Sequence, residues 1–221
     1  MFPVFREALQ RHGFAVINED AAGQESREAM ARFGRLLMLP GLAAVQTLEL
    51  REKKSATPNT YSGNYGRGEF PLHTDLAHWS LPPRYFLLRC VVGAANVPTR
   101  LVDGLDLIEA VGELKLSRAI VQPRRQIEGR LSLLHLIDAR AGTKVLRWDD
   151  LFIVPVTTEG KSAFAAVRQH LAQTKSVEIT LSKPGDTLIV DNWRMLHGRA
   201  AAFGVTTRRL DRAYIDEFEG V

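Results

Sequence analysis

Short apolar strands follow one another through most of this chain, and this pattern restricts the fold more than any other feature. Gly, Pro and Asp residues bound the strands, which is typical of a β-sandwich or jelly roll. Two helices, near Leu105–Leu114 and Ser162–Gln173, interrupt the series without regular alternation, which disfavours a doubly wound α/β fold. From residue 80 onward the predicted strands are Arg84–Val92, Arg100–Val102, Gln126–Ile137, Lys144–Trp148, Phe152–Val156, Ser176–Leu181, Thr187–Asp191 and Arg208–Ile215.

The first part of the chain adds peripheral elements to this core. A helix ending at Gly13 leads into a strand at Phe14–Ile17, and Ser26 caps a second helix. Val45–Leu50 is a candidate strand, and residues 55–71 form a long polar loop. Since no repeat or linker is visible, residues 1–221 are predicted to form one mainly β domain, a jelly-roll core with peripheral α-helices.

Composition excludes several classes of protein. The formal net charge is +4, without a basic stripe interleaved with aromatic residues, so no nucleic-acid partner is expected. The single cysteine, Cys90, rules out an intrachain disulfide and a multi-cysteine zinc site. Apolar runs are too short for a membrane span, and the N-terminal segment carries charge where a signal peptide is apolar. We therefore expect a cytoplasmic protein; its oligomeric state is left open.

A His-x-Asp pair is the first candidate for chemistry. In an extended segment, residues i and i+2 face the same way, so His73 and Asp75 direct an imidazole and a carboxylate at one point. These are two of the three ligands of a facial iron site. The pair is common by chance, and by itself it leaves a structural role open.

A histidine near the end of the chain is the second candidate. A Pro-Gly-Asp turn at residues 184–186 leads into an apolar strand, then a short loop, and then His197 beside Gly198. Glycine at this place allows close approach of a ligand. The alternative is a core or capping histidine.

Two arginines on the last strand are the third candidate. Arg208, Leu210 and Arg212 share one face of the predicted strand. Two guanidinium groups on the face that carries a leucine are costly unless they meet anions. An edge strand with all charges in water is the alternative.

Taken together, these motifs resemble the taurine dioxygenase/clavaminate synthase-like family of Fe(II)- and 2-oxoglutarate-dependent oxygenases. The resemblance rests on four motifs in the family's order, with Arg208 eleven residues after His197. It runs from about residue 60 to the C-terminus and implies a double-stranded β-helix. The motifs are HTD at 73–75, TRLVDG at 99–104, DNWRMLHGRAAAF at 191–203 and RRLDRAY at 208–214.

The resemblance also implies roles for individual residues. His73, Asp75 and His197 would bind Fe(II), and Arg208 and Thr99 would hold the distal carboxylate of 2-oxoglutarate. The reaction would use O2 to decarboxylate 2-oxoglutarate and to hydroxylate a C–H bond of a small polar metabolite. The segment between Asp75 and His197 is short for the family, which bears on substrate enclosure rather than on the iron chemistry.

Substrate contacts are predicted at two positions. Arg212 lies four residues after Arg208 on the same face, and family members that oxidise amino acids place an arginine there against the substrate carboxylate. An internal ion pair with Asp149, Asp150 or Glu69 is the alternative for Arg212. Asn64, in the polar loop before the iron motif, is a second candidate contact.

Two further residues are assigned less directly. Asp149 lies in a region that resembles the substrate-facing part of amino-acid oxygenases, although a solvated turn explains it equally well. His78, five residues after His73, would point away on an extended chain, so it is expected to be structural.

Three alternatives to hydroxylation remain open at this point. Desaturation or cyclisation can end the same iron chemistry. A jelly-roll binding protein without activity would keep the fold but would not need the whole motif set. A zinc hydrolase could use the same three ligands, but would leave Arg208 and Thr99 without a role.

Overall fold

Two antiparallel sheets enclose the centre of the protein in a computed structural model, which describes residues 2–127, 129–140 and 142–218. The strands are β1 (Phe14–Ile17), β2 (Val45–Glu49), β3 (Phe70–His73), β4 (Tyr85–Val92), β5 (Thr99–Asp103), β6 (Ile120–Pro123), β7 (Leu134–His135), β8 (Ile137–Arg140), β9 (Thr143–Leu146), β10 (Ile153–Pro155), β11 (Val177–Ile179), β12 (Thr187–Asp191), β13 (Met195–Arg199) and β14 (Arg209–Ile215). The helices are α1 (Phe2–His12), α2 (Ser26–Ala31), α3 (Tyr61–Tyr65), α4 (Gly104–Val111), α5 (Glu113–Arg118) and α6 (Thr158–Gln173), with one 3-10 turn at Lys53–Ser55.

The strand order is that of a jelly roll. The larger sheet has the order β1-β12-β4-β14-β2, and the smaller facing sheet has the order β11-β5-β13-β3. Both are antiparallel throughout, with strands distant in sequence lying side by side. A three-stranded sheet (β10-β6-β7) and the hairpin β8-β9 complete the fold. The predicted mainly β, jelly-roll class is confirmed.

The core between the two sheets follows the period-2 alternation of their strands. On β12, Leu188 and Val190 face inward while Ile189 belongs to the opposite face. Because successive side chains point to opposite faces, every second residue of β4, β12, β13 and β14 reaches the interior. The inward-facing apolar residues are Phe86, Leu88, Cys90, Leu101, Leu181, Leu188, Val190, Met195, Leu210 and Tyr214.

Helices cover the outer face of each sheet. On the larger sheet, Phe5 and Leu9 of α1 pack with Met30 and Phe33 against the outward side chains. On the smaller sheet, α4, α5 and α6 bury an apolar cluster that includes Leu107. None of the helices in the described part of the chain is both long and apolar enough to span a membrane.

Three local predictions need correction. The predicted strand Gln126–Ile137, which includes Glu128 outside the described residues, is mostly irregular; strand pairing resumes only at β7. Leu131 and Leu133 are largely exposed there, so their alternation has no sheet to pack on. The polar loop 55–71 contains α3, since the Thr60 hydroxyl accepts from the Gly63 amide and caps a helix, and it ends in β3. The predicted short loop before His197 is the turn at 192–194, but it leads into β13, a strand that was not predicted, and His197 lies within it.

Candidate functional site

Two paired strands bring the predicted histidines together. β3 runs antiparallel to β13, and His73 is the register partner of His197. The Nε2 atoms of both imidazoles lie 3.6 Å from Oδ1 of Asp75. One possible ligand atom from each of the three buried residues lies within 4.8 Å of the others. The sequence prediction of a His-Asp-His cluster therefore agrees with the geometry.

The imidazole of His73 is oriented by its surroundings. Its Nδ1 lies 2.9 Å from the carbonyl oxygen of Pro71. An Nδ1–H donor at this place leaves the Nε2 lone pair free for a metal ion. The ring stacks on Tyr61, with centroids 4.0 Å apart, and its other neighbour is His197 at 4.3 Å. Its position is therefore set before any metal arrives.

Burial and neighbouring charges shape the ionisation of the cluster. Burial and the proximity of His73 lower the pKa of His197 to about 3, so His197 is neutral at pH 7. Burial would lower the pKa of His73, but the Asp75 and Asp149 carboxylates outweigh it and raise that pKa above its ordinary value. Burial would raise the pKa of Asp75, but Arg212 and the histidines hold that pKa well below its usual range. The donor set of two imidazoles and a carboxylate fits Fe(II).

Side chains of the facing sheet hold the Asp75 carboxylate. Nη1 of Arg212 donates to both of its oxygens, at 3.1 Å to Oδ1 and 2.9 Å to Oδ2. The hydroxyl of Tyr214 donates to Oδ2 at 3.0 Å. Gln46 accepts from Nε and Nη2 of Arg212 through its side-chain oxygen. The alternative of an internal ion pair for Arg212 is therefore what the structure shows, with Asp75 as the partner in place of Asp149, Asp150 or Glu69.

A buried asparagine fixes the loop that carries Asp75. The side-chain oxygen of Asn192 accepts from the Asp75 amide at 2.7 Å, and its nitrogen donates to the carbonyls of Asp75 and Pro83. Asn192 belongs to the turn between β12 and β13 and is completely buried. The turn before His197 and the loop after His73 are thereby joined.

A cavity of about 420 Å³ opens onto the cluster. Its walls come from β2, β3, β5, β13 and β14, from α3, and from the loop at 149–152. Residues that line it include Tyr61, His73, Asp75, His78, Leu88, Thr99, Asp149, Phe152, His197, Arg199, Arg208, Leu210, Arg212 and Tyr214.

One end of the cavity carries the guanidinium groups of Arg199 and Arg208, and neither forms an ion pair with a carboxylate among the described residues. Arg208 is 9% exposed, its Nε has no hydrogen-bond partner among the described residues, and burial lowers its pKa to about 10, so it stays charged at pH 7. Thr99, buried in β5, pairs in register with Arg199 of β13. Arg199 binds the carbonyls of Gly66 and Gly68 and lies over the ring of Phe70. This end of the cavity is built for an anion.

The structure places the remaining predicted residues differently. The Asn64 amide donates to the Thr60 carbonyl within α3, is exposed, and lines a second depression of about 500 Å³ rather than the cavity at the cluster. His78 lines both, so it does not point away as expected. Burial lowers the pKa of His78 to about 4.

Sequence reasoning undervalued two residues of the cavity wall. Asp149 is buried, its Oδ1 accepts from the amides of Leu151 and Phe152, and burial raises its pKa. It is therefore not a solvated turn residue. Tyr61 was visible only as part of a polar loop; an aromatic residue in the loop that leads to the His-x-Asp pair was the available signal.

A family comparison agrees with the fold and the cluster. Residues 1–114 and 117–214 match the family described as Taurine catabolism dioxygenase TauD, TfdA family. The chain belongs to this family, and the resemblance seen in the sequence motifs is confirmed. Gamma-butyrobetaine dioxygenase of Homo sapiens is 26% identical over an alignment that covers 69% of this chain and 45% of the relative. The protein of Pongo abelii with the same name aligns equally well. The chain thus spans about half the length of these relatives.

Solved structures share the fold. An asparagine oxygenase in complex with Fe(II), 2S,3S-3-hydroxyasparagine and succinate superposes with a TM-score of 0.69 at 19% identity, covering 97% of this chain and 79% of that chain. PvcB from Pseudomonas aeruginosa gives 0.68 at 20% identity, with 96% and 79% covered. The non-heme iron oxygenase OrfP with Fe, succinate and (3S)-hydroxy-L-Arg gives 0.70 at 18% identity, with 97% and 78% covered.

The pairing of Asp75 with Arg212 predicts a pH-dependent contribution to stability. In the metal-free protein, Asp75→Asn should lower the free energy of unfolding at pH 7 by about 3 kcal/mol, because it leaves a partly buried guanidinium without its carboxylate. Since the folded pKa of Asp75 is depressed, the contribution is complete above the unfolded pKa of about 3.9 and declines as pH falls below it. The difference between wild type and variant should therefore narrow in acid.

Urea denaturation at pH 7 and pH 3 measures this difference. Asp150→Asn is the matched control, since Asp150 pairs with Arg168 at the surface. Such exposed pairs contribute less than about 1 kcal/mol. An Asp75→Asn variant as stable as the control at pH 7 would contradict the prediction.

Proposed function

We propose that this protein is an Fe(II)- and 2-oxoglutarate-dependent dioxygenase that hydroxylates an unactivated C–H bond of a small polar metabolite. The observation that carries the proposal is one cavity with a His-Asp-His cluster beside a buried guanidinium, Arg208, that has no carboxylate partner among the described residues. A zinc hydrolase would leave that guanidinium without a role, and a binding jelly roll would not need it together with the His-Asp-His cluster. Family membership supports the same activity.

His73, Asp75 and His197 would hold the iron. When bound, the iron activates O2 and couples loss of CO2 from 2-oxoglutarate, which yields succinate, to oxidation of the substrate. The protein's part is to offer two imidazole nitrogens and one carboxylate from one side, leaving the cavity side open. Relatives in fold were crystallised with Fe(II) and with succinate, which supports the same cofactors here.

Arg208 would bind the distal carboxylate of 2-oxoglutarate, with Thr99 as a second donor. A guanidinium stays charged and forms two parallel hydrogen bonds with a carboxylate. Both residues line the cavity, and both are buried. A dianionic cosubstrate would supply the negative charge that this end of the cavity lacks.

The substrate is proposed to carry a carboxylate, as an amino acid or a related zwitterion, that binds Arg212. The Arg212 side chain is 21% exposed and lines the cavity, although its Nη1 is engaged by Asp75. Asn64 is also proposed to contact the substrate, because it lines the second depression. Among relatives in fold, one was crystallised with hydroxyasparagine and another with (3S)-hydroxy-L-Arg.

A cytoplasmic location is proposed together with this function. Cys90 is a buried free thiol, which suits a reducing compartment. Detection of the protein in a membrane or secreted fraction of its host cells would contradict this location.

Anaerobic spectroscopy tests the function directly. Addition of Fe(II) and 2-oxoglutarate to the metal-free protein should give a weak visible charge-transfer band, and addition of O2 should then release succinate. His73→Ala, Asp75→Ala and His197→Ala should each lose the band and the turnover. His135→Ala is the matched control, because His135 is exposed and bonds to the Ser117 carbonyl. Near-native succinate release by any of the three variants would refute the iron role of that residue.

Arg208→Ala should weaken 2-oxoglutarate binding far more than iron binding. Loss of a charge-assisted pair in a buried site costs about 2–5 kcal/mol, which is tens- to thousands-fold in affinity. Titration of the charge-transfer band with 2-oxoglutarate measures the effect, and Arg209→Ala, at the exposed neighbouring residue, is the control. An unchanged affinity for 2-oxoglutarate would assign the cosubstrate carboxylate to another residue.

Arg212 is tested with the substrate and its uncharged analogue. A succinate-release screen across amino acids, betaines and sulfonates should first identify a substrate. Wild type should then prefer the carboxylate over the matching amide or ester, because only the carboxylate pairs with a guanidinium, and Arg212→Ala should lose that preference. Equal use of both compounds by wild type would exclude Arg212 as the anchor.

A further inference from the structure

The Asp75 carboxylate differs from the two histidines in how the backbone carries it. His73 ends β3 and His197 lies within β13, so sheet hydrogen bonds fix the direction of both side chains. Asp75 follows β3 in a turn, and the next residue, Leu76, has a positive φ of 55°. The sheet that carries the histidines therefore does not set the orientation of the carboxylate.

Side chains from the opposite sheet supply that orientation. Oδ2 of Asp75 accepts from Arg212 and from Tyr214, at 2.9 and 3.0 Å. Both donors lie on β14, two residues apart, and therefore on one face of the strand. Oδ1 is the oxygen that lies 3.6 Å from both imidazole Nε2 atoms. Oδ2 thus has two protein donors, whereas Oδ1 accepts only the longer 3.1 Å bond from Arg212 and faces the histidines.

Gln46 fixes Arg212 from its other side. Gln46 is the register partner of Arg212 across β2 and β14, and its side-chain oxygen lies 2.7 Å from Nη2 and 3.3 Å from Nε. A guanidinium is planar, with its donors in a rigid fork. Contacts on two sides therefore leave little freedom for the Nη1 group that reaches Asp75.

We propose that Arg212 and Tyr214, supported by Gln46, are positioning residues that hold the Asp75 carboxylate with Oδ1 turned toward His73 and His197. The inference rests on the proposed iron site. It gives Arg212 a structural role, orientation of the Asp75 carboxylate, that does not depend on bound substrate. Hydrogen-bond partners of metal ligands typically contribute 10–100-fold to metal affinity.

Charge and orientation must be separated in the test. A cation beside the site repels a divalent metal ion, so removing the positive charge of Arg212 would favour metal binding and mask a loss of orientation. Arg212→Lys keeps the charge but cannot form the same fork, and Tyr214→Phe removes one hydrogen bond without any change of charge. Gln46→Leu leaves both donors to Asp75 in place and removes only the support of Arg212.

The experiment is a Co(II) titration of the metal-free, full-length protein without 2-oxoglutarate or substrate. Arg212→Lys and Tyr214→Phe should each raise the dissociation constant for Co(II) about 10-fold or more and shift the visible absorption bands of the bound ion. Gln46→Leu should shift both quantities in the same direction, but less. The matched controls are Arg168→Lys and Tyr85→Phe, which should bind Co(II) as wild type does. Arg168 donates two hydrogen bonds to Asp150 at the surface, and Tyr85 lies on β4.

The outcomes separate this inference from the proposed function. If Tyr214→Phe and Arg212→Lys bind Co(II) with wild-type affinity and an unchanged spectrum, the positioning role is refuted, while a keto-acid band in the wild-type Fe(II) protein would still support the oxygenase. If instead the variants lose Co(II) affinity but the wild-type protein gives no such band, the positioning role stands and the oxygenase assignment fails. Should Arg212→Lys not fold, Tyr214→Phe decides alone.

Discussion

Pairing between β3 and β13 is the interaction on which the rest of the site depends. It places His73 and His197 opposite each other in register, although the strands are more than a hundred residues apart in sequence. Since side chains alternate along a strand, a slip of one residue would turn one imidazole out of the cavity. Gly198 permits this pairing, because a Cβ there would lie 2.6 Å from the carbonyl oxygen of Phe70. The glycine beside His197 thus serves the approach of a strand, where the sequence suggested the approach of a ligand.

Charge compensation across the cavity follows from that pairing. The smaller sheet contributes the two histidines, and the larger sheet contributes Arg212 and Tyr214, so the Asp75 carboxylate is a contact between the two layers. A buried carboxylate requires such partners, since a charge taken out of water is costly without them. Asp149 also lines the cavity, but its carboxylate has no guanidinium partner among the described residues. Backbone amides donate to one of its oxygens, and burial raises its pKa. The cavity therefore holds two carboxylates in unlike environments.

Local sequence patterns were sufficient to predict much of the fold and of the site. The shared face of Arg208 and Arg212 follows from strand geometry, and the jelly-roll class followed from the strand series. The i, i+2 argument brought His73 and Asp75 together correctly, but its premise of an extended segment ends at His73, because Asp75 lies in a turn. The predictions failed where contacts between residues distant in sequence determine the structure. The alternation predicted at 126–137 pairs with other strands only from β7 onward, and β3, at the end of a polar segment, was not predicted. Period 2 shows which face Arg212 occupies but cannot identify Asp75, 137 residues away, as its partner.

The positive end of the cavity links the stability of the chain to its chemical surroundings. Burial, and after it the positive charge of Arg208, lowers the pKa of Arg199, and among the described residues no carboxylate pairs with Arg208. Folding without a ligand must overcome this repulsion. An anion that binds the folded form alone adds stability by mass action, about 2.7 kcal/mol at a hundredfold excess over its dissociation constant. Resistance of the chain to proteolysis would then rise and fall with the concentration of that anion, so that the lifetime of the protein, and not only its turnover, follows the supply of its ligand.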